Sequence, residues 1–141
     1  MVKVTATNHD VGLLVLRFAV AIILLFHGVY KLTHGVEWIK GPLGELGLPG
    51  FLAYGTYVAE IVAPLLLIAG VATRPAALVI ALDMLMAIVL VLRPQLTAIK
   101  QAGGGWAIEL EALLLLASLA LFFTGAGRYR VTKPRPTSAT P

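Results

Sequence analysis

Glu60 and Asp83 are carboxylates set near the centres of two strongly apolar segments, residues 50–72 and 75–92. An ionised carboxylate in hydrocarbon costs about 2.5–3.5 kcal/mol on insertion scales. A chain carries such a group where it meets a counter-ion, a proton, a ligand or water. Both side chains are therefore expected to face a protein interior, where carboxylates do proton transfer or bind cations.

A third apolar segment, residues 11–33, carries Arg17, His27 and Lys31. At helical spacing the three fall within about an 80° arc, and Gly28 borders it, widening the face to about 100°. That segment thus has one polar, notched face on an otherwise apolar surface. Depth along the helix predicts two layers. Arg17 sits with Glu60 and Asp83 in the deeper one; His27 and Lys31 meet Glu109 or Glu111 toward the outer mouth. Glu109 and Glu111 are about 200° apart on a helix, so one faces inward and the other a headgroup or a neighbouring subunit. The carboxylates outnumber the permanent cations, which leaves at least one to take a proton, pair with His27 or meet a ligand. The plainer alternative is that an Arg17–Glu60 pair and a hydrogen-bonded Asp83 only fix helix register. Pro64 removes the amide that would bond the carbonyl of Glu60, which predicts a kink and a freed polar group there.

Other chemistries have less support. His27 and His34 are seven residues apart on or beyond one helix, and His9 precedes it. Axial haem ligands in a bundle come from facing helices, so no haem is expected. A metal held by His27 with Glu109 is a weaker alternative, and no metal site is assigned. The chain has no cysteine, which excludes disulfides, thiolate metal sites and iron–sulfur clusters within it.

The elements that must position these groups follow from hydropathy. The 141 residues are 59% hydrophobic and only 13% charged, against about 25% in soluble domains. The expected fold is all-α: an antiparallel four-helix integral-membrane bundle with helices over about 11–33, 50–72, 75–92 and 106–124, each near the length of one crossing. Asp10 is the expected N-cap of the first helix. Pro49 precedes the second, and Gly70 with Arg74-Pro75 ends it. Arg93-Pro94 stops the third, and Gly125-Ala126-Gly127 the fourth. Ala19-Val20-Ala21 has the form of a signal-peptidase site, but the apolar run continues through Phe26, so the first helix is expected to be retained. The first loop holds Trp38 and Phe51 and reads as interfacial and partly re-entrant. Tyr54, Tyr57 and Trp106 sit at helix ends, where interfacial anchoring explains them and stacking on a quinone ring is the sharper alternative.

Residues 1–10 form a short N-terminus, and the proline-rich stretch 131–141 is expected to be disordered. Basic residues at the two termini and the tight turn at Arg74 outnumber those on the opposite loops, which places both termini in the cytoplasm. Arg128, Arg130, Lys133 and Arg135 fit a tail facing lipid headgroups, and nothing else points to nucleic acid.

Several marks recur in a fixed order. His27-Gly28-x-x-Lys31 ends the first helix, and Leu46-Gly47-Leu48-Pro49 precedes the second. Glu60 follows, then Gly70-x-x-x-Arg74. Gly104-Gly105-Trp106 and Glu109 open the fourth helix, and Gly125-Ala126-Gly127-Arg128-Tyr129 closes it. Over residues 11–131 this resembles the DoxX family of small bacterial inner-membrane proteins, related to the membrane subunit of thiosulfate:quinone oxidoreductase. Two departures stand out: Ala126 replaces the usual proline of the closing motif, and Ala107-Ile108 separate Trp106 from Glu109. The resemblance implies a multi-pass protein of the inner membrane, quinone-linked redox chemistry, and a partner redox subunit or homo-oligomer. It carries over Arg17, Lys31, Glu60, Arg74 and Glu109, with Glu109 preferred to Glu111 by its distance from the closing glycines. On that reading Glu60 and His27 supply protons, while Arg17, Asp83, Lys31 and Glu109 surround a quinone head. A proton-coupled transporter and a non-catalytic scaffold are the alternatives.

Overall fold

The structure, a computed structural model, describes residues 6–131. The expected tail therefore lies, apart from Val131, outside the described residues, as do the first five positions. The long helices are α1 (Ala6–His34), α3 (Gly50–Ala69), α4 (Thr73–Val91) and α5 (Glu109–Thr124), with a short α2 (Glu37–Glu45) between α1 and α3. α1, α3 and α4 are each long and apolar enough to cross a membrane. α5 has 16 residues.

The first helix starts earlier than expected. Asp10 lies inside α1 and is buried, with Oδ1 accepting from the backbone N–H of Arg128 at 3.0 Å. It ties α1 to the segment after α5 instead of capping a helix. The first loop is also more ordered than a re-entrant coil, since α2 folds back with Ile39 and Leu43 buried against Val36 and Ala53. Lys40 of α2 donates to Glu37 and to Tyr54, and these two bonds raise its pKa above the ordinary lysine value. It therefore stays charged, and α2 stays fastened to the start of α3. Trp106 precedes α5 rather than beginning it. Its backbone pairs with Ile99, and its indole N–H donates to the carbonyl of Leu96 at 2.8 Å.

α1 packs on α3, α3 on α4 and α4 on α5, and α5 returns to α1. Without water to drive helices together, close approach of backbones matters more than side-chain bulk. Ala21, Ala63, Ala76, Ala77 and Ala81 are accordingly all buried at these contacts. Large apolar residues such as Val15, Phe26, Leu113, Leu116 and Phe123 point outward and are exposed, which is the surface a bilayer covers.

Two helices widen locally. Val58–Val62 of α3 and Ala87–Val91 of α4 are π-helical turns. In α3 the cause is Pro64, which has no N–H for the carbonyl of Glu60. The N–H of Ala63 reaches five residues back to the carbonyl of Val58, which is the widened, π-helical bond.

Candidate functional site: a cleft around Glu60

The antiparallel register of α1 and α3 sets the site. The hydroxyl of Tyr57 donates to the carbonyl of Lys31 at 3.2 Å, and three residues along each helix Gly28 meets Glu60. A Cβ on Gly28 would stand 2.6 Å from the carbonyl oxygen of Glu60. Glycine is required there, and the carbonyl freed by Pro64 is the surface it rests on. This contact brings Lys31 within reach of the carboxylate, and its Nζ forms an ion pair with Glu60 Oε1. The Glu60 side chain is 3% exposed and that of Lys31 13%. Glu60 Oε2, equally buried, has no hydrogen-bond partner among the described residues. Leaving a buried acceptor unmet costs about 1–3 kcal/mol, and more for a charged group, so Oε2 is built to receive a donor.

Glu60 stands between two cavities. The larger, about 430 Å³, is bounded by α1, α4 and α5 with Trp38 of α2 beside it. Its walls are mainly apolar, among them Leu24, Met84, Val91 and Leu114. Polar groups enter at only a few points: Glu60, Lys31, His27, Tyr30 and Glu111. Phe26, Tyr30 and Trp38 are exposed and rim it, so it opens on the apolar outer surface. The smaller cavity, about 60 Å³, joins Lys31, Glu60, Thr56 and Asp83. Ala87 and Val91, from the π-turn of α4, line both cavities. The widened turns of α3 and α4 thus flank the same space.

Glu60, Lys31 and Asp83 form one polar group, with His27 at the rim of the larger cleft. Nδ1 of His27 lies 3.0 Å from the carbonyl of Ile23 and donates to it, which leaves Nε2 free in the neutral ring.

Arg17 does not join them, contrary to the expected deeper layer. Its Nε donates to the carbonyl of Leu67 at 2.6 Å, Nη2 to Ile68 at 2.8 Å, and Nη1 to Ala126 and Tyr129. Leu67 is seven residues beyond Glu60, about two helical turns away. The guanidinium instead meets carbonyls of the last turn of α3, which ends at left-handed Gly70, the negative pole of that helix.

The choice between the two glutamates is also reversed. Glu109 is 51% exposed and pairs with Lys100 at 2.8 Å, away from the cleft, whereas Glu111 lines it. The missed signal is the stripe Glu111, Leu114, Ser118 and Leu121, which marks the inner face of α5. Tyr30 was legible as well, one turn from His27 on the same face. Trp38 was not, because nothing in the first loop announces the return of α2. Tyr54, Tyr57 and Trp106 all bond to α2, α1 or loop groups and do not line the larger cleft.

Comparison with known proteins agrees with this architecture. The chain is 35% identical over 119 residues to a Bacillus subtilis (strain 168) protein named "Putative oxidoreductase CatD", covering 84% of this chain and 83% of the relative. It is 29% identical over 136 residues to "Uncharacterized membrane protein Rv3486" of Mycobacterium tuberculosis (strain ATCC 25618 / H37Rv), covering 89% and 82%. No solved structure matches. The sequence pattern of DoxX matches residues 12–93, which include Arg17, His27, Lys31, Glu60 and Asp83. This chain is a membrane protein of the DoxX family.

Proposed function

We propose that this chain is the quinone-binding membrane component of an oxidoreductase in the bacterial inner membrane, working with a partner redox subunit. In this reading α5 with its preceding turn makes a fourth crossing, and both termini face the cytoplasm. The observation that carries the proposal is the cleft itself: an apolar channel, open on the lipid-facing surface, that ends on a buried carboxylate oxygen with no partner. That shape and polarity suit an isoprenoid tail in the channel and, at Glu60, a ring whose reduced form carries a hydroxyl to donate to Oε2. The name of the Bacillus relative supports redox work.

A quinone, when bound, accepts electrons together with protons. The chain's own residues then have defined tasks. Lys31 fixes the Glu60 carboxylate and presents its ammonium beside the ring position. Glu60 Oε2 accepts a hydrogen bond from the hydroxyl of the reduced ring, and in its protonated form donates to a carbonyl of the oxidised ring. His27 Nε2 and Glu111 exchange protons at the rim, and Asp83 holds a second carboxylate behind Glu60. Tyr30 and Trp38 flank the mouth. Electrons arrive from the partner subunit or from a substrate bound beside the ring, since the chain supplies no thiolate chemistry. A second reading, a small proton-coupled transporter, draws on the polar cavity that joins Glu60 to Asp83.

Photolabelling separates the two. An azido-quinone in liposomes is expected to label α1 near Phe26–Tyr30, Trp38 and α5 near Leu114, and excess natural quinone should abolish the label. Labelling spread evenly over the lipid-facing surface would contradict a quinone site.

A further inference from the structure

We propose that the opposite end of the molecule binds a phosphate group. A cavity of about 440 Å³ lies there between the start of α4 and the end of α5, with Gly70, Thr73, Arg74, Gly125 and Arg130 among its walls. No carboxylate lines it among the described residues. Asp10, the acid at this end, is taken up by the backbone and side chain of Arg128.

Independent features converge on that space. α4 begins at Thr73 and runs to Val91, so the positive pole of a long helix lies at the cavity. Thr73 is 4% exposed, and its Oγ1 is buried with no hydrogen-bond partner among the described residues. Among the described residues Arg130 has no ion pair, and Arg74 makes only a long 3.4 Å bond to the carbonyl of Phe123. Behind the wall lies Arg17. A Cβ on Gly70 would stand 2.6 Å from its Nη2 and 2.8 Å from the Cβ of Arg130. Arg17 is buried and bonded to carbonyls alone, so its full charge is uncompensated by any acid among the described residues.

Positive guanidinium groups, a helix N-terminus and an unmet hydroxyl around one cavity define an anion site. Arginine forks and a threonine hydroxyl match the oxygens of a phosphate mono- or diester. Two sources carry that chemistry: the headgroup of an anionic phospholipid, since the cavity sits at the ends of the spanning helices, and a soluble phosphate ester.

Native mass spectrometry of the full-length protein in detergent tests this, with phosphatidylglycerol, phosphatidylcholine and glycerol phosphate each titrated in. We expect phosphatidylglycerol or glycerol phosphate to be retained about tenfold better than phosphatidylcholine. Arg130→Gln and Thr73→Val should each lose that preference while unfolding at the wild-type temperature in lipid-free detergent. Binding of phosphatidylglycerol alone identifies a lipid site, and binding of glycerol phosphate without lipid identifies a soluble ligand. Arg130 is exposed and valine is isosteric with threonine, so both variants should fold. A preference that survives Thr73→Val is a general property of the basic surface and overturns the site, as does the absence of any preference.

Discussion

At the scale of single residues, the ion pair between Lys31 and Glu60 has to be read together with the oxygen it leaves over. A pair built only for stability would satisfy both carboxylate oxygens, because a buried pair recovers its desolvation cost only when its remaining valences are met. Here Oε1 is held and Oε2 is open. Breaking such a pair from one side leaves an uncompensated charge and costs about 3–5 kcal/mol. Lys31→Met is therefore expected to lower the unfolding temperature sharply. Glu60→Gln should cost less, because the amide oxygen still accepts from Lys31. The double variant Lys31→Met/Glu60→Gln should be more stable than the two single effects summed, and quinone labelling should fall in all three. Thermal unfolding in detergent measures the first part, and additive losses would show that the two side chains do not depend on each other.

At the scale of elements, the π-turns and the glycine notch place those side chains. Gly28 allows α1 to rest on the widened turn of α3, so a methyl group there must push backbone aside. Gly28→Ala is expected to destabilise by about 1–3 kcal/mol. Gly12, on the same helix, has nothing within 4 Å of a built Cβ. Gly12→Ala should be neutral or stabilising by up to about 1 kcal/mol, the helix propensity gain. Equal effects of the two substitutions on thermal unfolding would remove the notch from the account. The notch and the polar face of α1 were legible in the sequence, because helical periodicity puts Gly28, His27 and Lys31 on one arc. The register between α1 and α3 was not. Periodicity gives the angle around a helix but not the offset between two helices, and the first loop hides that offset by folding into α2. Arg17 was therefore assigned to Glu60, when its level on α1 lies opposite the end of α3. In the same way, the distance of Glu109 from the closing glycines was a weaker guide than the buried stripe through Glu111.

At the scale of the whole molecule, the two ends of the helix ring do different work. One end is closed by α2 and contains the cleft, with Lys31, Glu60 and Asp83 gathered beside it. At the other end, Arg17 binds α1, the last turn of α3 and the segment after α5 through Leu67, Ile68, Ala126 and Tyr129. Asp10 adds a second tie from α1 to Arg128. The cleft bounded by α1 and α5 and the ties between those helices thus lie at opposite ends of the ring. The apolar helices were plain from hydropathy alone, since each is a long run, with few charged residues, near the length of a crossing. The closure of the basic end was not, because it depends on carbonyls, which every residue carries and no sequence pattern marks.

The most direct test of the central claim is mass spectrometry of the protein gently extracted from its native membrane, with bound small molecules and co-purifying chains read together. The account predicts a stoichiometric quinone, lost in Glu60→Gln, and a redox subunit in the same complex. Recovery of phospholipid alone, with no quinone and no redox partner, would contradict it.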